Sequence, residues 1–321
     1  MKKLILLVLA ACGAALSACT FLDIDPETGL DENQVFSTWD NFKAYFNNVY
    51  EGHTGQASSG YNINIKQGYP LYIDMNDRRF TWNALTHMCD GGRWIRSQQI
   101  KGGSLGANAS EWTITTNRRP ISYSMFRIIR VANKCIENIG MVQNAKQIDK
   151  DDLIGQAYFV RAFAHFTLCR IFGGMPYLDK ALEADDNWDM TRLSAWETYA
   201  HCAEDLDRAY DYFVAAGKVR RDAGPGSEGH LTSSDMAYPN GVAAKALKAR
   251  CLLYAASELN NLHGQSDWED AAEACAEAIR IAEENGYEML PFSEWSSNFY
   301  GTKYTNEHIW AWNYGSGSYY Q

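Results

Sequence analysis

Beyond residue 19 the chain holds no run of about 18 apolar residues, the length a helix needs to cross a bilayer, so no later segment is expected to cross one as a helix. It has no cluster of basic residues either. Asp and Glu number 39 against 29 Lys and Arg, the net charge is -10 and the pI is near 5.2, which excludes a protein that tracks nucleic-acid phosphates. None of the eight cysteines is spaced as Cys-x-x-Cys, and none pairs with histidine at zinc-ligand spacing, so no structural zinc site is expected. Catalytic signatures are missing too: there is no His-Glu-x-x-His, no Gly-x-Ser-x-Gly and no phosphate-binding P-loop. Nor does any pair of carboxylates stand out as the two that a glycosidase sets across its cleft. Neither an enzyme nor a cofactor is implied.

What is present begins with a secretory leader. Lys2 and Lys3 precede an apolar run from Leu4 to Leu16, and Ser17 and Ala18 lead into Cys19. Leu16-Ser17-Ala18-Cys19 resembles the bacterial lipoprotein lipobox. That resemblance implies cleavage before Cys19, acyl chains on Cys19 and stable attachment to a membrane, since two or more chains hold where one does not. Residues 1–18 are therefore read as the signal, residues 19–35 as an acidic tether containing Pro26 and Gly29, and residues 36–321 as the folded domain. Of the cysteines left after Cys12 and Cys19, five fall within helical apolar patterns and are read as buried thiols. An extracytoplasmic location permits a disulfide, but spacing names no pair.

The folded part is organised around residues 149–178. Leu153, Ala157, Val160 and Ala164, with Phe159, Phe163, Phe166 and Ile171, make nearly every face of the implied helix apolar, which predicts a central helix over about 150–172. Asp149, Asp151 and Asp152 are its N-cap candidates, and Gly173-Gly174 before Pro176 stops it. Arg161, His165 and Arg170 are its polar exceptions. His165 has no metal-type partner a helical turn away, so it reads as a hydrogen-bonded histidine at a helix contact.

Other helices are predicted over 37–52, 120–139, 194–213, 240–258 and 267–285. Ser194 and Glu197 form a capping box, and the stripe Tyr199, Cys202, Leu206, Ala209, Tyr210 and Phe213 follows it. The inward residues are read as Met125, Phe126, Ile129, Ala132, Ile136 and Ile139 in the second of these. They are read as Val242, Ala246, Leu247, Leu253 and Tyr254 in the fourth, and Trp268, Ala271, Cys275, Ile279 and Ala282 in the last. Asp267 is read as the last helix's cap and Gly286 as its stop. Asp185, Asp186, Asn187 and Asp189 lack EF-hand spacing and read as a solvated acidic turn. The stretch 217–239 reads as a mobile connection. Paired helices with small residues at their contacts predict an all-α, irregular array of tetratricopeptide-like (TPR-like) helix pairs with long loop insertions, since no 34-residue period is kept.

Taken together, these pieces resemble the SusD/RagB family of outer-membrane nutrient-uptake lipoproteins. They are the lipobox followed by CTFLDIDP, VFSTWDNFKAYFNNVYEG, MFRIIRVANKCIENI, GQAYFVRAFAHFTLCRIFGGMPY, RLSAWETYAHCAEDLDRAYDYF, YPNGVAAKALKARCLLYAAS and EMLPFSEWSSNFYGTKYTNEHIW, in the family's order. The resemblance implies a helical SusD-like fold anchored by lipid at the cell surface. It also implies binding of an oligosaccharide or other nutrient, and delivery to a SusC-like TonB-dependent outer-membrane transporter as partner. Members of the family continue past residue 321, so the chain is expected to be a fragment or a truncated product.

Pyranoses offer a flat patch of C–H groups that suits an aromatic face, while amides, carboxylates and guanidinium groups meet the hydroxyls. Two aromatic clusters are therefore the ligand candidates: Trp82, Asn83 and Trp94 with Asp74 and Arg78 in the long 53–117 segment, and Trp310, Trp312, Tyr314 and Tyr319 at the end. The alternative is a TPR-like scaffold that binds protein or peptide on a concave surface. Exposed rings favour the first reading and rings buried in helix contacts the second.

Overall fold

The structure is a computed structural model, described here for residues 32–51, 102–103, 121–221, 235, 238–300 and 305–310. The chain divides into two units, Met1–Val35 and Phe36–Gln321, and the second carries the architecture. Its main helices are α1 (Trp39–Glu51), α2 (Ile121–Asn138), α3 (Gln147–Phe172), α4 (Ala195–Ala215), α5 (Gly241–Ala256) and α6 (Gln265–Glu284). Among the described residues there is no strand, and no helix is long and apolar enough to cross a membrane. From α2 onward each helix packs chiefly on the next one in sequence, with a lighter contact between α3 and α5. Such a pattern of nearest neighbours is how helix-pair arrays bury a continuous core.

The central helix of the sequence is α3. From Leu153 to Cys169 every residue except Tyr158 is buried, which follows from an apolar surface on all sides. It begins earlier than the aspartates suggest. Lys146 occupies the N-cap position without a side-chain cap, and its carbonyl accepts from the N–H groups of Asp149 and Lys150, both at 3.1 Å. The aspartates instead lie inside the helix, where Asp149 supplies favourable charge to the first turn. Gly173 ends α3 at φ 78° and ψ -170°, a conformation open to glycine and strained for other residues.

Alanines and a glycine set the close approach between neighbours. Ala157, Ala162 and Ala164 are fully buried, and a Cβ on Gly155 would lie 3.0 Å from the Phe213 ring of α4. The capping box of α4 forms as the sequence predicts: Glu197 N donates to Ser194 Oγ at 3.1 Å, and Ser194 N donates to Glu197 Oε2 at 2.7 Å. Asn240 caps α5 by accepting from Ala243 N at 3.0 Å.

Three inward assignments are corrected. In α2 the buried face is Met125, Ile128, Ile129, Ala132 and Cys135, and Phe126 lies at the surface. In α5, Leu253 is exposed while Cys251 and Ala255 face inward. The helix predicted at 267–285 starts at Gln265 after Gly264. Its buried stripe is Asp267, Ala271, Ala274, Ala278 and Ile281, so Trp268 and Ile279 point to solvent. The stripe sits about one residue from the predicted one because α6 meets α5 through alanines, with Ala274 and Ala278 packed on Ala249. Asp267 is not the cap residue. Its carboxylate lies inside the first turn and accepts from the N–H groups of Leu262 and His263, both at 3.0 Å. Gly286, at φ 82°, ends α6 as predicted, with Tyr287 N donating to Ala282 O.

Candidate functional site

Of the predicted ligand residues, Trp310 is described; Asp74, Arg78, Trp82, Asn83, Trp94, Trp312, Tyr314 and Tyr319 lie outside the described residues, as does Cys19. Trp310 is half-buried. Its ring meets Phe159 at 5.1 Å and Phe163 at 5.6 Å, nearly perpendicular to both, so the end of the described chain rests on the middle of α3.

The segment 305–310 is held there from several sides. Arg221 Nη2 donates to Thr305 O at 2.7 Å, Asn240 Nδ2 to Ile309 O at 2.7 Å, and Glu288 N to Asn306 O at 3.3 Å. Thr305, His308 and Asn298 add a local cluster of side-chain hydrogen bonds. Asn240 therefore acts twice, capping α5 through its carbonyl oxygen and positioning Trp310's neighbour through its amide N–H.

Behind this face lies the richest set of catalytic residue types among the described residues: Arg161, His165, Tyr177 and Asp205, with Asn133. Arg161 Nε and Nη2 donate to the two oxygens of Asp205 at 2.6 and 2.7 Å, and Nη1 donates to Asn133 Oδ1 and Asp179 O. Tyr177 OH and Arg208 also donate to Asp205, at 2.6 and 3.1 Å. His165 donates from Nδ1 to Arg161 O at 2.9 Å and accepts at Nε2 from Leu178 N at 3.0 Å. Burial pushes its pKa down to about 4, which keeps the imidazole neutral. Burial also works against the Arg161 charge, but the hydrogen bonds it donates to Asp205 and the attraction of that carboxylate outweigh it and raise that pKa.

This cluster is a clamp. Both oxygens of Asp205 and both nitrogens of His165 are occupied by protein groups, which leaves neither a free base nor an open ligand position. It holds the 173–182 loop, since Asn133 Nδ2 donates to Leu178 O at 3.0 Å; outside the cluster, Glu137 accepts from Ala181 N, and Arg192 donates to Gly174 O and to Phe172 O at the end of α3, all at 2.7 Å. No group of three His, Cys, Asp or Glu side chains among the described residues is disposed to hold a metal ion.

His165 is the satisfied core histidine that its sequence context suggests, whereas Asp205 and Tyr177 escaped sequence reasoning. The signal was available in α4, where Asp205 interrupts an apolar stripe between Cys202 and Ala209, the position from which a buried arginine is matched. A second feature missed in the sequence is Trp188, whose ring is 63% exposed on the acidic loop while its indole N–H donates to Glu183 O at 3.1 Å.

Comparison with known proteins aligns this architecture with one group. A family profile described as "Starch-binding associating with outer membrane" matches residues 21–216. The chain is 33% identical over 198 residues to SusD-like protein P2 of Formosa agariphila; the match covers 61% of this chain and 35% of that protein, so the chain spans about a third of this curated relative. It is similar in structure to a SusD-like protein from Bacteroides fragilis (TM-score 0.55, 20% identity, 91% of this chain and 48% of that one). It is also similar to a SusD superfamily protein from Bacteroides thetaiotaomicron (TM-score 0.57, 14% identity, 84% and 54%).

Proposed function

Because the chain belongs to the SusD-like family of starch-binding proteins that associate with the outer membrane, we propose that it is a surface lipoprotein that captures an oligosaccharide and passes it to a SusC-like TonB-dependent transporter. The observation that carries this reading is the family match over residues 21–216 on an all-helical array. The physical chemistry agrees with it. The Arg161, His165 and Asp205 group is consumed by internal hydrogen bonds, which a binding scaffold permits.

In this reading Cys19 carries the lipid, the body lies outside the membrane, and no cofactor takes part. Trp82, Asn83, Trp94, Asp74 and Arg78 are proposed as one group of ligand residues, and Trp310, Trp312, Tyr314 and Tyr319 as the other. Trp310 acts mainly as the foot of that second cluster, since Phe159 and Phe163 already occupy part of its surface.

The test is a tryptophan-fluorescence titration of residues 20–321 against a panel of soluble glycans, with helicity confirmed by circular dichroism. Saturable quenching by one glycan class, weakened at least tenfold in Trp94→Ala or Trp312→Ala, supports the assignment. A folded protein silent to every glycan overturns it in favour of a protein-binding scaffold. Delivery is tested separately: a tagged full-length chain extracted from outer membranes in mild detergent should bring a TonB-dependent barrel with it, and Cys19→Ala should abolish that recovery.

A further inference from the structure

Three consecutive helices each carry a ring and a cysteine three residues apart, on one helix face: Phe166 and Cys169 on α3, Tyr199 and Cys202 on α4, Tyr254 and Cys251 on α5. The three rings meet. Phe166 lies 5.8 Å from Tyr199 and 5.2 Å from Tyr254, and the two tyrosines are 5.9 Å apart.

Chain direction then decides where the thiols fall. Helices α4 and α5 run antiparallel, because Asp207 meets Lys245 at one level and Tyr199 meets Tyr254 at another. The step forward from Tyr199 to Cys202 is therefore matched by the step back from Tyr254 to Cys251, and both thiols arrive at the same level on facing sides. Both are fully buried, and the neighbouring Cys251 thiol is one of the groups that raise the Cys202 pKa. Helix α3 is antiparallel to α4, with Arg161 on Asp205 and Phe166 on Tyr199, so the same step carries Cys169 to the opposite side of the rings. There it approaches Ala195 O at 3.8 Å.

We propose that Cys202 and Cys251 are a disulfide-forming pair that fastens α4 to α5. Both are thiols in the structure. Bond formation needs an external disulfide, protein or low-molecular-weight, as oxidant. The thiolate of one cysteine attacks it, forming a mixed disulfide and expelling one thiolate. The second cysteine attacks the mixed disulfide, closing the Cys202–Cys251 bond and expelling the other. The two expelled thiolates take up the two protons that the cysteines lose, so the chain is oxidised by two electrons and the reagent is reduced by two.

Burial pushes the Cys202 thiol up, and neither thiol reaches solvent once the helices are packed. The bond therefore forms while the chain folds and only slowly afterwards. It links residues far apart in sequence, which is where a crosslink most restricts the unfolded chain. An extracytoplasmic location, as proposed for this protein, is one in which such a bond persists. The pair does not depend on which ligand the protein binds.

The test is to unfold the full chain, refold it in a mixture of reduced and oxidised glutathione, alkylate it under denaturing conditions and map the peptides. A Cys202–Cys251 crosslinked peptide as the main disulfide, with Cys135, Cys169 and Cys275 alkylated, is the expected result. Native reduced protein given the same mixture should crosslink at least tenfold more slowly. The oxidised chain should also melt at a higher temperature than the reduced one, a difference absent in Cys202→Ala and Cys251→Ala. Full alkylation of both cysteines after refolding, or a main crosslink from either one to Cys169 or Cys89, overturns the proposal. Should refolding fail, the same map is made on full-length chain exported to an oxidising bacterial periplasm, with the same two readings.

Discussion

A buried arginine is tolerated at position 161 because Asp205 meets it with both carboxylate oxygens while Asn133 Oδ1 and the Asp179 carbonyl accept from its Nη1. Removing one partner strands the other charge where water cannot reach it. Asp205→Ala should cost about 3 to 5 kcal/mol in urea unfolding, and the double change of Arg161→Met with Asp205→Leu should recover most of that loss. Equal losses in the single and double variants would show that the pair does more than satisfy itself.

His165 makes a pH-dependent contribution whose sign follows from its depressed pKa of about 4 against an ordinary 6.5. Between those values the unfolded chain binds the proton and the folded one does not. The histidine's share of stability is therefore complete above about pH 6.5 and is lost as pH falls towards 4, amounting to about 3 kcal/mol over that window. Protonation would also cost Leu178 N–H its acceptor. His165→Gln should flatten this part of the stability-against-pH curve, and an unchanged slope would contradict the neutral assignment.

At the scale of the helix and its connection, the Gly173-Gly174 pair does two different jobs. Gly173 takes a positive φ, whereas Gly174 allows contact: a Cβ there would fall 2.1 Å from Leu193 O and 2.6 Å from Ala195 N. Gly174→Ala should therefore destabilise by about 1 to 3 kcal/mol or more, seen as a lower melting temperature, because the obstruction is backbone and cannot swing aside. On α6, Ala278→Leu should cost a similar amount and Ile279→Ser less than about 0.5 kcal/mol, the reverse of what a hydrophobicity-led reading expects.

That reversal shows where sequence reasoning reached and where it stopped. Signals that depend on a local backbone partner were readable: the Ser194 and Glu197 box, the Gly173 and Gly286 stops, and the all-round apolar surface of α3. The facing of α2, α5 and α6 was not, because it depends on the neighbour's shape. A tight alanine seam on α5 turns Trp268 and Ile279 outward although they are larger and more apolar. The clamp around Asp205 was half readable. Arg161 in an apolar helix demands a partner, but nothing local to α3 says that the partner lies on α4. Of the ligand residues proposed from the sequence, the structure describes Trp310, and it seats that ring on Phe159 and Phe163.

For the whole molecule, the helical array and the family match support the proposed account, in which a helical scaffold offers aromatic rings to a glycan. The central claim is oligosaccharide binding, and the direct measurement is isothermal titration calorimetry of the folded chain against a size series of soluble α-glucans, with unrelated oligosaccharides alongside. The account predicts saturable, exothermic one-site binding to at least one oligosaccharide class, with affinity rising from monosaccharide to longer chains as more rings are engaged, and with heat lost in Trp94→Ala or Trp312→Ala. Absence of heat with every glycan up to millimolar concentration, from protein shown to be folded and helical, would contradict it.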